Sequence, residues 1–219
     1  MYFSPPTSGG NPKSGYSFGV YQFDSGTNPS TRKFLSANVF QNDQSLLYSL
    51  EAHSASASQV ATANQMLQTA MQNQSVQAAY NQLIQTQTQT MINTLQNIIN
   101  NVAQTDPGMA RQILSNQAFQ LQIMDFINQY GSTMANHELI PLLLGQPITL
   151  ASGGVFTLNP NLPPNSEMML FYLKKKWALS HPKAAFNREK KLLGAISNLG
   201  PSGNGINSST TTTHVNKCG

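Results

Sequence analysis

From Gln59 to Val102 the apolar side chains recur at steps of three and four: Val60, Met66, Leu67, Met71, Val76, Tyr80, Leu83, Ile84, Met91, Leu95, Ile98 and Ile99. That period places them on one face of an amphipathic helix. No Gly or Pro interrupts the run, so it predicts one long helix or two helices broken near Asn73-Gln74. The low-complexity, β-branched "QTQTQT" (85–90) is a second candidate weak point. Upstream, Asn28-Pro29 reads as an N-cap followed by proline at the first helical position, opening a helix to about Val39. Leu46, Leu47 and Leu50 stripe a second helix from about Asp43 to Ala52, and the small, polar Ser54–Ser58 forms a joint after it. Asp106-Pro107 repeats the start signal. Ile113, Leu114, Leu121, Met124, Phe126 and Ile127 then predict a helix over 109–130, closed by Gly131. Another spans 133–144, closed by Gly145. At "PITLASGGVFTL" (147–158) two short β-branched runs flank Ser152-Gly153-Gly154, which predicts a small hairpin. Helices follow from Ser166 to about Leu179 and from Lys183 to Leu199, separated by His181-Pro182. Residues 200–219 have no apolar face and read as a disordered tail. The fold class is mainly α with a small β-hairpin.

Composition sharpens this picture. Charged residues are 9% of the chain, against roughly 25% in ordinary soluble proteins, and Gln and Asn take their place from Gln41 to Gln129. The formal charge of +4 is uneven: between Phe34 and Leu173 the only Lys or Arg is Arg111, and eight of the 12 basic residues lie from Lys174 onward. Such a basic region suits either solubility or an acidic partner, whether an anionic wall polymer, a membrane surface or a nucleic acid. Cys218 is the only cysteine and can form no internal disulfide. No Sec-type signal peptide opens the sequence, and no apolar run approaches the roughly 18 residues of a membrane span. The four histidines show no metal-ligand spacing, and no zincin, phosphate-loop or nucleophile-elbow motif is present.

The chemistry concentrates in "SGGNPKSGYSFGVYQFDSG" (8–26). Gly15 and Gly19 bracket Tyr16-Ser17-Phe18 and permit a sharp turn with close backbone approach. Tyr16 and Tyr21 offer flat faces with a hydroxyl, Gln22 a donor and an acceptor on one side chain. Asp24 lies on the same side as Gln22 if residues 20–24 are extended. Together these groups suit the wall of a carbohydrate cleft. The alternative is that Phe18, Tyr21 and Phe23 anchor a core while Asp24 caps the turn.

"SGGNP", "GYSFGVYQFDSG" and "NPSTRKFL", over about residues 7–35, resemble the lysozyme-like superfamily: lytic transglycosylases and, more closely, phage endolysins and secreted bacterial muramidase effectors. The resemblance implies a lysozyme-like helical domain over 1–199. It would comprise a cleft loop (7–28), a helical body (29–144), the hairpin (147–158) and basic helices (166–199). It implies that the Gly-Tyr-Ser-x-Gly-x-x-Gln segment lines a saccharide cleft, with Tyr16, Ser17, Tyr21 and Gln22 on the glycan. The implied activity is peptidoglycan binding and cleavage of the β-1,4 bond after N-acetylmuramic acid, by a muramidase or a lytic transglycosylase. The implied partner is the glycan strand, joined by a secretion-system or immunity partner. No cofactor, metal, nucleic acid or membrane span is expected. Localisation would be secreted, or delivered to the periplasm or cell wall without a Sec signal, with a phage origin as one source.

One departure matters. The catalytic Glu of the resembled families falls at Thr7, and a threonine cannot protonate a glycosidic oxygen; that reaction needs a carboxylic acid. Three routes are open. The chain is an inactive homologue that still binds glycan, the substitution is an engineered substrate trap, or another acid, Asp24 or Glu51, takes the role. The helix that precedes the Glu is also missing, since six residues precede Thr7, which points to a truncated or divergent start. Of the other acids, Asp43 and Asp106 read as caps, Asp125 as a partner of Arg111, and Glu138, Glu167 and Glu189 as helix-surface residues. A reading of a different class is a non-enzymatic Gln/Asn-rich helical structural or assembly protein.

Overall fold

A computed structural model of the chain describes residues 1–6 and 13–197. Thr7 and the expected tail (200–219) lie outside the described residues. The fold is mainly α with two small antiparallel hairpins. Internal contacts divide the chain into two compact units, Met1–Met91 and Ile92–Gly219.

The first unit opens with a hairpin of β1 (Ser17–Phe18) and β2 (Phe23–Asp24), paired Ser17 to Asp24 and Phe18 to Phe23. Ser4 bridges to Ser17 and extends this ribbon on its other side. Helix α1 (Pro29–Asn38) starts where predicted, because the Asn28 side chain accepts from the Ser30 and Thr31 amides. Helix α2 (Gln44–Glu51) is capped in the same way by Asp43, which accepts from the Leu46 amide. Helix α3 (Ala57–Ala70) begins two residues earlier than predicted. Ser56 and Gln59 form a reciprocal capping box there, satisfying two amides that would otherwise lack partners. Helix α4 (Gln74–Thr105) follows the break at Asn73. The "QTQTQT" stretch stays helical: the hydroxyls of Thr86, Thr88 and Thr90 each donate to the carbonyl four residues back, at 2.9 Å. That bond gives the β-branched hydroxyls a partner inside the helix. Phe18 stands at 0% exposure in the centre of this unit, stacked on Phe34 and ringed by Phe3, Phe23 and Tyr80. Leu35, Phe40, Leu50 and Leu67 complete the core. Burying a side chain of this size contributes about 1.5–3 kcal/mol.

In the second unit, α5 (Pro107–Ser115) is capped by Asp106, and α6 (Gln117–Leu143) by Asn116. The helix predicted over 109–130 is therefore interrupted. Asn116 leaves the helical region (φ −120, ψ 94) and its side chain accepts from the Phe119 amide. Gly131 (φ 80, ψ 161) bends α6 where the sequence closes one helix and opens the next. Strands β3 (Ile148–Thr149) and β4 (Val155–Phe156) form the predicted hairpin. Then come α7 (Pro164–Leu173), α8 (Lys176–Ser180) and α9 (Pro182–Ser197). The core joins α6 to α7 and α9 through Ile123, Phe126, Met168, Phe171 and Ala185, all buried. No helix of the described residues is long and apolar enough to cross a membrane.

Candidate functional site

The loop between β1 and β2 is four residues long, Gly19 to Gln22. The Gln22 amide donates to the Gly19 carbonyl at 3.2 Å. Both ends of the loop have positive φ: 75° at Gly19 and 53° at Gln22. Residues 20–24 are therefore not extended, and Gln22 and Asp24 do not share a side as the sequence suggests. Gln22 is exposed at the tip beside Val20, which is 73% exposed. The Gln22 amide nitrogen donates to the Gly19 carbonyl at 3.3 Å, leaving its oxygen to solvent. A non-glycine residue in this region is uncommon and carries a strain of order 1 kcal/mol or more.

The two tyrosines do not make an open wall. Tyr16 is 8% exposed, its ring set edge-on to His53 at 5.5 Å. Its amide donates to the Leu50 carbonyl at 3.0 Å, which ties the base of the hairpin to the end of α2. Gly15 serves that contact rather than ligand approach: a Cβ there would lie 2.8 Å from the Leu50 carbonyl and 2.6 Å from Ser25 Oγ. Tyr21 is half-buried, perpendicular to Phe23, with its hydroxyl 3.0 Å from Thr88 Oγ1 on α4. Ser17 is half-buried, with its backbone paired on both sides to Asp24 and Ser4. Phe18 and Phe23 are core, as the alternative reading of the sequence has it.

Asp24 is held from every direction. Its Oδ1 accepts from the amides of Gly15 at 3.0 Å, Gly26 at 2.7 Å and Thr27 at 2.9 Å. Oδ2 accepts from the Ser14 hydroxyl. A carboxylate that knits four donors into one turn closes the hairpin base. Glu51 is likewise engaged. Arg32 on α1 donates to both its oxygens, at 2.8 and 2.7 Å, in a fork that joins α1 to the end of α2. The structure brings Asp24, Tyr16 and Glu51 to one region of the first unit, where Gly26 approaches the Glu51 carbonyl. Both carboxylates hold backbone or side-chain partners there. The position proposed for the family acid, Thr7, is outside the described residues.

Sequence reasoning misses Ser14 and Arg32, whose roles depend on partners 10 and 19 residues away. Tyr80, which the periodicity places on the apolar face of α4, packs on Phe18, Phe23 and Phe34 and accepts from the Val20 amide at 3.4 Å, a bond to the hairpin that the sequence does not show. In the second unit three acids depart from expectation. Asp125 pairs with Arg188 at 2.6 and 2.9 Å rather than with Arg111. Glu167 is 3% exposed and accepts from the Asn159 amide, and Glu189 is 3% exposed in the core. Glu138 is paired with Lys175. Burial, reinforced by the Asp125 charge and opposed by Arg188, pushes the Glu189 carboxyl up to about 7. Among the described residues no group of three or more His, Cys, Asp or Glu is placed to hold a metal ion. Comparison with protein-family models, with curated proteins and with solved structures finds no match to this chain.

Proposed function

We propose that the chain is a lysozyme-like protein directed at peptidoglycan, which binds glycan strands at the tip of its first hairpin and does not cleave them with Thr7 in place. The observation that carries this is the backbone at Gln22. A turn that needs positive φ is built at least cost with Gly or Asn. This one uses Gln, exposed and with φ 53°. Local strain of this kind clusters at active sites and ligand clamps. An amide beside the half-buried Tyr21 ring offers a sugar one donor, one acceptor and an apolar edge. The same Gln is the last position of the Gly-Tyr-Ser-x-Gly-x-x-Gln resemblance. Binding without cleavage follows from the proton donor: glycoside cleavage needs a carboxylic acid to protonate the leaving oxygen, Thr7 cannot supply one, and Asp24 and Glu51 are committed to the fold and do not replace it.

Co-sedimentation with purified sacculi tests the reading through Gln22→Gly. This variant relieves the strained backbone, so the fold gains up to about 1 kcal/mol, while the displayed amide is lost. The proposal expects a more stable protein that no longer sediments with sacculi. Retained sedimentation by a folded Gln22→Gly would remove the hairpin tip from function.

The second reading, a helical assembly protein, has one observation in its favour. Helix α4 runs for 32 residues without a charged side chain, and its exposed positions are largely Gln, Asn and Thr. Concentration-dependent self-association in place of sacculus binding would favour it.

A further inference from the structure

We propose that the exposed face of α9, with α8 beside it, docks on an anionic lipid bilayer surface. On α9 the side chains of Lys183, Phe186, Lys190 and Leu193 follow one another at steps of three and four, so they share one face of the helix. All four are exposed; Phe186 is 60% and Leu193 39% accessible. Lys191 flanks the stripe and is exposed as well. Helix α8 adds exposed Lys176 and, three residues on, Leu179 at 53%.

The surrounding charge decides the partner's sign. The second unit's acids are all withdrawn from the surface or engaged: Asp106 caps α5, Asp125 holds Arg188, Glu138 holds Lys175, and Glu167 and Glu189 are buried. No carboxylate among the described residues of this unit is exposed to neutralise the lysines. The apolar side chains decide the partner's class. A nucleic acid meets the lysines and stacks a base on Phe186 but offers no apolar phase for Leu179 and Leu193, and an anionic wall polymer takes up none of the three. A bilayer accepts both, with ammonium groups among the lipid phosphates and the rings and branched chains at the acyl boundary. The helix lies in the interface plane and does not span it.

The test is co-sedimentation of the full chain with vesicles of phosphatidylcholine alone and of phosphatidylcholine mixed with phosphatidylglycerol, at low and high salt. Binding is expected only to the anionic vesicles and is expected to weaken with salt. Lys183→Gln and Lys190→Gln should each lower it about fivefold, and Phe186→Ser about tenfold. Each replaces an exposed side chain, and circular dichroism checks that the fold is retained. Equal binding to both vesicle types, or none to either, would overturn the proposal. So would binding to duplex DNA or a polyanion that matches the vesicles and ignores Phe186→Ser, or a self-association that Phe186→Ser abolishes.

Discussion

Glu189 gives the second unit a pH-dependent stability of calculable sign and size. Its carboxyl sits at 3% exposure on α9, where Gln122 and Asp125 of α6, Tyr172 of α7 and the neighbouring Arg188 line the same small cavity or face the group. The Gln122 amide atoms and Glu189 Oε2 are buried without a hydrogen-bond partner. Burial is the largest cause that raises the proton affinity of Glu189, to about 7 from an ordinary 4.5. In the unfolded chain the proton leaves near 4.5; in the folded unit it stays until about 7. Between those values the unfolded state binds fewer protons, so stability falls as pH rises and levels off above 7. At about 1.4 kcal/mol for each pH unit, the loss reaches up to about 3 kcal/mol. Glu189→Gln keeps the shape and removes the ionisation. Urea unfolding should be followed by fluorescence of Trp177, the single tryptophan and a residue of this unit. The variant and the parent should be nearly equal at pH 4.5, and the variant should be more stable by up to about 3 kcal/mol at pH 8. A difference that is the same at both pH values would refute the reasoning, because it would mean the effect comes from packing and not from the proton.

Three other outcomes follow. Gly19→Ala should destabilise the first unit by about 3 kcal/mol in chemical denaturation, because the backbone has φ 75° and the added carbon would sit 2.4 Å from the buried Tyr80 hydroxyl. Asp24→Ala strips the side-chain acceptor from three amides and should cost that unit about 3 kcal/mol; an unchanged midpoint would return Asp24 to the list of candidate catalytic groups. Thr7→Glu supplies the missing acid and should produce or raise lysis in a turbidity assay on sacculi, and no gain would count against that residue's alignment with the family Glu.

Local signals were legible in the sequence and distant ones were not. Asn28, Asp43 and Asp106 each announce a helix through a side chain that bonds an amide two or three residues on, so the sequence places those starts correctly. Asn116 carries the same signal, but it sits within an apolar period that runs through it, and periodicity alone reads α5 and α6 as continuous. The burial of Tyr16 depends on Leu50 and His53, and the pairing of Asp125 depends on Arg188, 63 residues away. Nothing near Asp125 in the chain separates Arg188 from Arg111. The same holds for Glu167 and Glu189, which a helical pattern leaves on the surface and tertiary packing takes inside. At the hairpin, the exposure of Gln22 depends on a backbone angle that composition does not encode.

The glycan reading is tested most directly by titrating isotope-labelled protein with a soluble muramyl glycan fragment and following amide resonances. The account predicts shifts at the Gln22 side-chain amide and along the backbone from Gly19 to Gln22, absent in Gln22→Gly. Resonances that stay in place at the hairpin tip, or that move only in the second unit, would contradict it.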